Sequence, residues 1–248
     1  MSRVALVTGA SGGIGSAIAL ELAANGWDIA VHYFTAAEKA SAVCEQITHT
    51  YNVRCMVVQG DVASEEQTDR MITEIEEKLG PVSVLINNAA VDMPDLFMNK
   101  TADDFRRVLD VNVIGAYNCA RRVYRKMLEQ EYGRIVNIAS TNGINTYYPV
   151  CLDYDASKAA LISLTHNLAV QFAPYVTVNA VAPGFIGTEK ELEGYTDEFL
   201  KEETEKILLK RYGQPEEVAR VVRFLVSDDA AYINNSVIRV DGGQMGSC

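Results

Sequence analysis

One segment near the N-terminus sets the architecture of this chain: Val4-Ala5-Leu6-Val7-Thr8-Gly9-Ala10-Ser11-Gly12-Gly13-Ile14-Gly15. A short apolar run, typical of a buried strand, enters a turn of small residues that opens a helical pattern. Small residues let the backbone turn sharply, so its N–H groups and the helix N-terminus can hold a pyrophosphate. The glycines at 9, 13 and 15 depart from the common G-x-G-x-x-G spacing. Taken alone, the turn could also be a tight connection that binds nothing.

The alternation of apolar runs and helical patterns continues along the chain, roughly every 25 to 35 residues. It predicts one α/β domain over residues 1–248, with a doubly wound parallel sheet of about seven strands and helices on both faces. The predicted strands are Val4–Val7, Asp28–Tyr33, Arg54–Gln59, Val82–Asn87, Arg134–Ala139, Thr177–Ala182 and Val237–Val240. The predicted helices are Ser16–Asn25 (capped by Gly26), Ala36–Thr50, Glu65–Leu79, Ala102–Gln130, Asp155–Phe172 and Pro215–Ser227, with Ser64, Thr101 and Asp153 as N-terminal caps.

Residues 187–211 break this rhythm with a polar, acidic stretch that we interpret as a helical insertion after the sixth strand. Open α/β sheets bind ligands at the carboxyl ends of their strands. The insertion is therefore either a substrate lid or a solvated surface hairpin.

Charge and composition exclude several functional classes. Asp and Glu number 33 against 22 Lys and Arg, which gives a net charge of −11 and argues against nucleic-acid or anionic-membrane partners. The five cysteines form no C-x-x-C pair and the three histidines show no metal-binding spacing, so we expect no metal site and reduced thiols. We find neither a signal peptide nor an apolar run long enough to span a membrane, and expect a cytoplasmic protein.

Three residues suggest proton-transfer chemistry. Tyr154 and Lys158 lie four residues apart on a predicted helix and so share one face. An ammonium beside a phenol stabilises the phenolate, and lowering the pKa of Tyr154 by two to three units takes about 3 to 4 kcal/mol. Tyr154 could then exchange a proton with a carbonyl or alcohol oxygen, to which Ser140, at a strand end, could also hydrogen-bond. Each residue alone is more often a surface contact or a turn residue.

The chain resembles the short-chain dehydrogenase/reductase family over residues 3–243. The motifs that carry the resemblance are Thr8-Gly9-x-x-x-Gly13-x-Gly15, Asp61-Val62, Asn87-Asn88-Ala89-Ala90, Asn112, Ser140 followed by Tyr154-x-x-x-Lys158, and Pro183-Gly184. The resemblance implies a Rossmann-type fold and a nicotinamide cofactor, whose positively charged ring would help to lower the pKa of Tyr154.

The same resemblance assigns the site residues. It implies a catalytic tetrad of Asn112, Ser140, Tyr154 and Lys158, in which Asn112 holds the water of a proton relay. Asp61 and Val62 would contact adenine, and Thr188 the carboxamide. The full set of implied cofactor contacts is Gly9, Ser11, Gly13, Ile14, Gly15, Tyr33, Asp61, Val62, Asn88, Ala89, Tyr154, Lys158, Pro183, Gly184, Ile186 and Thr188.

Two features depart from the family pattern. The interval from Ser140 to Tyr154 is one residue longer than in close relatives, which we expect to affect specificity more than catalysis. Cys151 in that interval is either a cleft residue or, as we favour, a small hydrophobe. Ala90 stands where the family commonly has Gly, and a methyl group alone does not abolish a cofactor site.

The end of the second strand bears on the choice of cofactor. It reads His32-Tyr33-Phe34-Thr35, and the first acid after it is Glu38. In many NAD enzymes an acid at this place hydrogen-bonds the adenosine ribose and would repel a 2′-phosphate. This favours NADP over NAD, although Ser11-Gly12 carries no base for the phosphate. His32, Tyr33 and Thr35 either contact the phosphate or ribose or simply end the strand.

Similarity is strongest to the 3-oxoacyl-acyl-carrier-protein reductase branch, over Val178–Ile186 and Val240-Asp241-Gly242-Gly243. Glu129 and Glu131 stand where that branch has bases for its acidic carrier, so we favour a small free carbonyl compound or alcohol. Acyl carrier protein stays possible as a partner because of a basic surface made of Arg121, Arg122, Arg125 and Lys126. The chain could also be a cofactor-sensing regulator with the same fold, or a purely structural subunit. Family resemblance implies a homotetramer built on the two long helices.

Overall fold

Seven parallel strands form one sheet in the computed structural model, which describes residues 3–245. The strands are β1 (Val4–Val7), β2 (Asp28–Tyr33), β3 (Cys55–Gln59), β4 (Val82–Asn87), β5 (Gly133–Ile138), β6 (Val176–Pro183) and β7 (Val237–Val240). Their order in the sheet is β3-β2-β1-β4-β5-β6-β7. Because the chain leaves β1 toward one edge and resumes at β4 on its other side, the connections after β1 and β4 diverge and open a crevice.

Helices cover both faces of the sheet, which confirms the predicted doubly wound fold. They are α1 (Gly13–Ala24), α2 (Ala37–Thr50), α3 (Glu65–Lys78), α4 (Ala102–Leu109), α5 (Gly115–Glu129), α6 (Leu152–Phe172), α7 (Glu189–Gly194), α8 (Asp197–Glu205) and α9 (Pro215–Val226). Apolar side chains of α1, α2 and α9 pack on one face, and those of α3, α5 and α6 pack on the other. The central strands are buried along their whole length because both of their faces are covered.

Two sequence predictions about helices need correction. The helix predicted over Ala102–Gln130 is interrupted by a π-helical turn, Asp110–Ile114, which contains Asn112. The cap predicted at Asp153 is wrong: α6 begins at Leu152, and Asp153 lies inside the helix, buried in an ion pair with Lys100. The caps at Ser64 and Thr101 are confirmed, since each side chain accepts a backbone N–H of the first helical turn.

The predicted helical insertion contains α7 and α8, each capped by a threonine hydroxyl, Thr188 and Thr196. Both helices follow the carboxyl end of β6, beside the crevice. Within residues 3–245, no helix combines the length and apolar character needed to cross a membrane.

Candidate active site

The turn after β1 has the shape of an anion cradle. Gly9 and Gly13 have φ values of +64° and +55°, which residues with side chains rarely adopt. A Cβ atom on Gly15 would lie 2.4 Å from the carbonyl oxygen of Gly9, so only glycine fits there. No side chain caps the N-terminus of α1. Its first N–H groups are therefore available to a phosphate.

Side chains that follow β1 and β4 hold this turn in place; the segment between β4 and α4, residues 88–101, is called the β4 loop below. The Thr8 hydroxyl accepts the backbone N–H groups of Asn88 and Ala89 at 2.9 and 3.0 Å. The Asn88 amide donates back to the carbonyl oxygens of Thr8 and Gly9 at 2.9 and 3.1 Å. The two loops that border the crevice are thus held together before any ligand binds.

His32 lies beneath the turn and is one of the residues that line the cavity between the turn, β2 and β3. The ring is 2% exposed, its Nδ1 accepts the Gly9 N–H at 3.0 Å, and its Nε2 lies 2.9 Å from the Gly60 carbonyl oxygen. This pattern requires a neutral ring, and burial lowers the pKa of His32 below its usual value. Both ring nitrogens therefore hold the turn, while contact of the residue with a phosphate or ribose stays a prediction.

We expect His32 to make stability fall in acid. A lowered pKa in the folded state means that the unfolded chain takes up a proton from about pH 6.5 downward while folded His32 resists it. The free energy of unfolding should therefore fall by up to about 1.4 kcal/mol per pH unit below pH 6.5. Denaturant titrations between pH 7 and 5 should show a flatter profile for His32→Gln than for the exposed-site control His49→Gln. Parallel profiles for the wild type and both variants would contradict this role.

One cavity of about 310 Å³ extends from the turn toward β2 and β3. Phe34 and Thr35 line it on one side, and Asp61 and Val62 on another. Tyr33 is not among its lining residues, because the ring packs against the core under α1 and α2. The predicted contact of Tyr33 with a cofactor is therefore not supported by its position.

Sequence reasoning missed Arg107, which comes from α4 and also lines this cavity. Its guanidinium donates to an Asp61 carboxylate oxygen at 3.2 Å and lies 5.9 Å from the Phe34 ring centre. No local pattern signals this contact, since Arg107 and Asp61 are 46 residues apart.

A second cavity of about 490 Å³ lies at the carboxyl ends of β4, β5 and β6. It is lined by most of the residues predicted for catalysis and for the inner part of the cofactor site: Ile14, Asn88, Ser140, Tyr154, Lys158, Pro183, Gly184, Ile186 and Thr188. Cys151 also lines it, and burial raises the pKa of this thiol to about 11, so it stays protonated and a weak nucleophile. The loop from Ser140 to Tyr154 and the segment with α7 and α8 form its outer wall.

Ser140, Tyr154 and Lys158 meet at the floor of this cavity. The Lys158 ammonium lies 5.3 Å from the Tyr154 ring centre and donates to the Ile138 carbonyl oxygen at 2.8 Å. Ser140 and Tyr154 line the same part of the cavity, close enough for Ser140 to counteract the rise in the pKa of Tyr154. A substrate oxygen beside Tyr154 would therefore meet two hydroxyl groups.

The pKa of Tyr154 differs from the sequence-based expectation. Burial raises it above the usual value, the carboxylates of Asp92 and Glu191 raise it further, and Ser140 acts in the opposite direction. Burial also lowers the pKa of Lys158 to about 8. The protein groups alone thus favour the protonated phenol, the form that donates a proton.

Asn112 reaches the catalytic group through other residues. Its side-chain oxygen accepts the Val91 N–H at 2.8 Å, and its amide donates to the Val91 carbonyl and the Ser157 hydroxyl at 3.0 and 2.9 Å. Ser157 in turn donates to the Tyr154 carbonyl oxygen at 2.7 Å. Asn112 lies outside both cavities and connects the β4 loop to the first turn of α6.

The acids on either side of Tyr154 in the sequence fix its surroundings. Asp153 is fully buried and pairs with Lys100 at 2.5 Å, and it also accepts the Tyr154 N–H at 2.9 Å. Asp155 accepts the Asn142 amide at 2.6 Å, and the backbone N–H of Asn142 donates to the Ser140 hydroxyl at 3.1 Å. The β4 loop and the Ser140 loop are thereby tied to the catalytic helix.

The whole chain matches a known family. A family model described as enoyl-(acyl carrier protein) reductase matches residues 9–245. The 3-oxoacyl-acyl-carrier-protein reductase of Staphylococcus epidermidis is 40% identical over 244 residues, which cover 98% of this chain and 99% of that protein.

Solved structures agree with this match. An acetoin dehydrogenase from Salmonella typhimurium superimposes with a TM-score of 0.89 at 34% identity, covering 99% of this chain and 96% of that one. A gluconate 5-dehydrogenase from Burkholderia cenocepacia, in complex with NADP and tartrate, gives a TM-score of 0.91 at 29% identity, covering 98% and 94%. Fold, sequence and site together identify the chain as an enzyme of the short-chain dehydrogenase/reductase family, an oxidoreductase related to the 3-oxoacyl-acyl-carrier-protein reductases.

Proposed function

We propose that this enzyme interconverts a carbonyl compound and a secondary alcohol with NAD(P)(H). The observation that carries the proposal is the meeting of Ser140, Tyr154 and Lys158 on the floor of a cavity that adjoins the glycine turn. When bound, the cofactor supplies a hydride to the carbonyl carbon or accepts one from the alcohol carbon. The carbonyl oxygen gains one proton in reduction and the alcohol oxygen loses one in oxidation, so each turnover balances.

Three side chains would manage that proton. Tyr154 gives it to the substrate oxygen in reduction and takes it back in oxidation. Ser140 hydrogen-bonds the same oxygen and stabilises its developing charge. Lys158 stabilises the phenolate that remains after proton donation. Asn112 acts as a positioning residue, since it reaches Tyr154 only through Ser157 and the helix backbone.

The glycine turn and the adjoining cavity would hold the cofactor. Gly9, Gly13 and Gly15 shape the turn, and the adenosine side of the cavity is lined by Asp61 and Val62. Thr188 lies next to the turn, since a Cβ atom at Gly13 would be 3.4 Å from its methyl group. We favour NADP, because the residues after β2 that line that cavity are Phe34, Thr35 and Ala36, and none of them is an acid. The NADP complex of the gluconate 5-dehydrogenase supports this preference.

Thr35→Asp should weaken NADPH use. A carboxylate at this exposed, cavity-lining position would repel a 2′-phosphate and could bond a ribose hydroxyl instead. We expect kcat/KM for NADPH to fall about tenfold, which corresponds to about 1.4 kcal/mol, with a smaller change for NADH. Thr35→Val is the uncharged control. An equal loss with both cofactors would indicate a structural effect and remove the support for NADP.

We favour a small free substrate over a carrier-bound one, and the size of the cavity supports this preference. Its volume of about 490 Å³ lies in the range of small-molecule sites. We propose that residues 187–211 are a lid, because Thr188, Glu191, Tyr195 and Phe199 line the outer wall. The acetoin dehydrogenase, whose name gives a small hydroxyketone as substrate, supports this interpretation.

The candidate docking surface for an acidic carrier is largely neutralised. Arg121 pairs with Glu65, Arg122 with Glu76, and Lys126 with Glu129. Unchanged turnover when acetoacetyl-carrier protein replaces a free acetoacetyl thioester would agree with a free substrate. A large gain in kcat/KM would overturn it and restore the carrier role of the relatives.

The decisive experiment is a matrix of NADH and NADPH against simple ketones, keto-sugars, steroids and oxo-thioesters. Turnover that Tyr154→Phe abolishes would support the proposal. Calorimetric binding of a cofactor without turnover would favour a cofactor-sensing regulator, and no binding would favour a structural subunit.

A homotetramer is the assembly we propose. Ile114 and Tyr117 near the start of α5 and Val170 on α6 are exposed apolar side chains on the two long helical regions. Light scattering behind size exclusion should give four times the chain mass, and a monomer mass would contradict the assembly.

A further inference from the structure

We propose that Gln244 binds a second oxygen atom of the substrate, so that the enzyme prefers diols and hydroxyketones to compounds whose only oxygen is the reacting one. The inference rests on the proposed function and deepens it by naming a substrate class. Gln244 follows β7 and lines the cavity of about 490 Å³ together with Ser140 and Tyr154. Only 4% of the residue is exposed. It therefore brings a buried polar side chain to the wall of the cleft.

The orientation of the Gln244 amide is set by the backbone of Phe185. The Phe185 N–H donates to the side-chain oxygen of Gln244 at 3.1 Å. Because a backbone N–H can only donate, the atom that it contacts must be the oxygen and not the NH2 group. The main-chain groups of Gln244 are also used: its N–H donates to the Asp241 carbonyl oxygen at 3.0 Å, and its carbonyl oxygen accepts from Arg239 at 2.9 Å.

The NH2 group of Gln244 differs from those of the other amide side chains that line the cavity. Asn88 donates to two carbonyl oxygens of the turn after β1, and Asn142 donates to Asp155 at 2.6 Å. Among the side chains and backbone groups described over residues 3–245, the NH2 group of Gln244 has no acceptor. A buried donor without an acceptor is costly, and a substrate oxygen in the cavity would recover that cost.

The backbone holds Gln244 in place before any substrate binds. Gly242 and Gly243 have φ values of +60° and +76° and form a tight turn after β7. Beyond the turn, Gln244 forms a β-bridge with Ile207, which follows α8. A Cβ atom on Gly184 would lie 2.5 Å from the Gln244 side-chain oxygen, so glycine at 184 lets the amide approach. A donor that is already fixed loses little entropy when it binds its acceptor.

The test uses four-carbon alcohols that differ in a second hydroxyl group. They are 2-butanol, 2,3-butanediol and 1,3-butanediol, with 2-butanone, 3-hydroxy-2-butanone and 4-hydroxy-2-butanone as the ketones. We expect kcat/KM for the better of the two diols to exceed that for 2-butanol about a hundredfold, and the same order among the ketones. The comparison isolates the second oxygen, because every alcohol offers the same secondary carbinol to Tyr154.

Two variants separate the NH2 donor from the packing of the side chain. Gln244→Glu keeps an oxygen for the Phe185 N–H and removes the NH2 group, whereas Gln244→Met keeps the length and removes both. Each should lower the diol-to-butanol ratio of kcat/KM at least tenfold. The control is Gln46→Met, an exposed amide on α2 that lines neither cavity, and it should leave the ratio unchanged. A ratio within one variant does not depend on the fraction of folded enzyme.

The outcomes separate this inference from the proposed function. Tyr154-dependent turnover of 2-butanol equal to that of both diols would overturn the inference and leave the function standing. A preference for the diols that survives Gln244→Glu would show that the NH2 donor is not its cause, and would overturn the inference too. An equal loss with all compounds, together with weaker calorimetric binding of the cofactor, would assign Gln244 to the cofactor and overturn its role toward the substrate. Absence of turnover with these compounds and with the wider carbonyl matrix would overturn both.

Discussion

Tyr154→Phe should lower kcat about 1000-fold with every substrate that the enzyme turns over. The variant keeps the ring and loses only the hydroxyl that exchanges a proton with the substrate oxygen, a contribution worth about 100- to 10,000-fold in general acid–base catalysis. Cofactor affinity should change little, because the glycine turn and the adenosine-side cavity are formed by other residues. Initial rates of NAD(P)H consumption and calorimetric titration of the cofactor measure the two quantities separately.

The control for this variant is Tyr232→Phe, which removes a hydroxyl from a fully exposed ring that lines neither cavity. It should retain the wild-type kcat. A Tyr154→Phe enzyme with more than a tenth of the wild-type kcat would show that another group or water transfers the proton. The tetrad would then be a resemblance without the proposed chemistry.

The fold and the positions of Ser140, Tyr154 and Lys158 could be predicted from the sequence, because the patterns that indicate them are local. Strand hydrophobicity, the small residues at 9–15 and the Tyr154/Lys158 spacing each operate within a few residues. The seven strands, the helices on both faces and the placement of Ser140, Tyr154 and Lys158 in one cavity followed from them. The prediction failed first where a helix changes its winding, at the π-helical turn around Asn112.

The missed features depend on residues that are distant in sequence. Asp153 was assigned as a helix cap because an acid before a helical pattern usually caps it. Its partner Lys100 is 53 residues away, and only the fold brings the two together. The pKa of Tyr154 was expected to fall because Lys158 was the visible neighbour, whereas Asp92 and Glu191 approach from two other segments. Burial and opposing charges of this kind have no sequence pattern.

Asp153→Asn should lower the free energy of unfolding by about 3 to 5 kcal/mol, the usual cost of breaking a buried ion pair. The side chains of Lys100 and Asp153 are 5% and 0% exposed, so the variant leaves an ammonium buried without its carboxylate. The Asn oxygen can still accept the Tyr154 N–H, so the effect isolates the charge. For a chain of this size the loss corresponds to a fall in Tm of roughly 10 °C, measurable by calorimetry.

A matched exposed pair separates burial from ion pairing as the cause. Lys78 and Glu74 lie 2.6 Å apart, nearly the distance in the buried pair, but their side chains are 60% and 45% exposed. Lys78→Met should cost less than about 1 kcal/mol, because water screens an exposed charge that loses its partner. If Asp153→Asn were as mild as Lys78→Met, Lys100 would have to reach water in the folded protein.

The double variant Lys100→Met/Asp153→Asn should recover much of the stability that Asp153→Asn loses. Removing both charges replaces a buried ion pair with neutral groups of similar volume, which is often close to neutral in energy. Catalysis should not recover with it, because Lys100 also donates to the Met93 carbonyl oxygen and so ties the β4 loop to α6 beside Tyr154. Recovered Tm with a persistently low kcat would show that the pair positions the cleft loop, whereas joint recovery would limit its role to stability. That split is expected if the acid before Tyr154 is there to hold the site rather than to cap a helix.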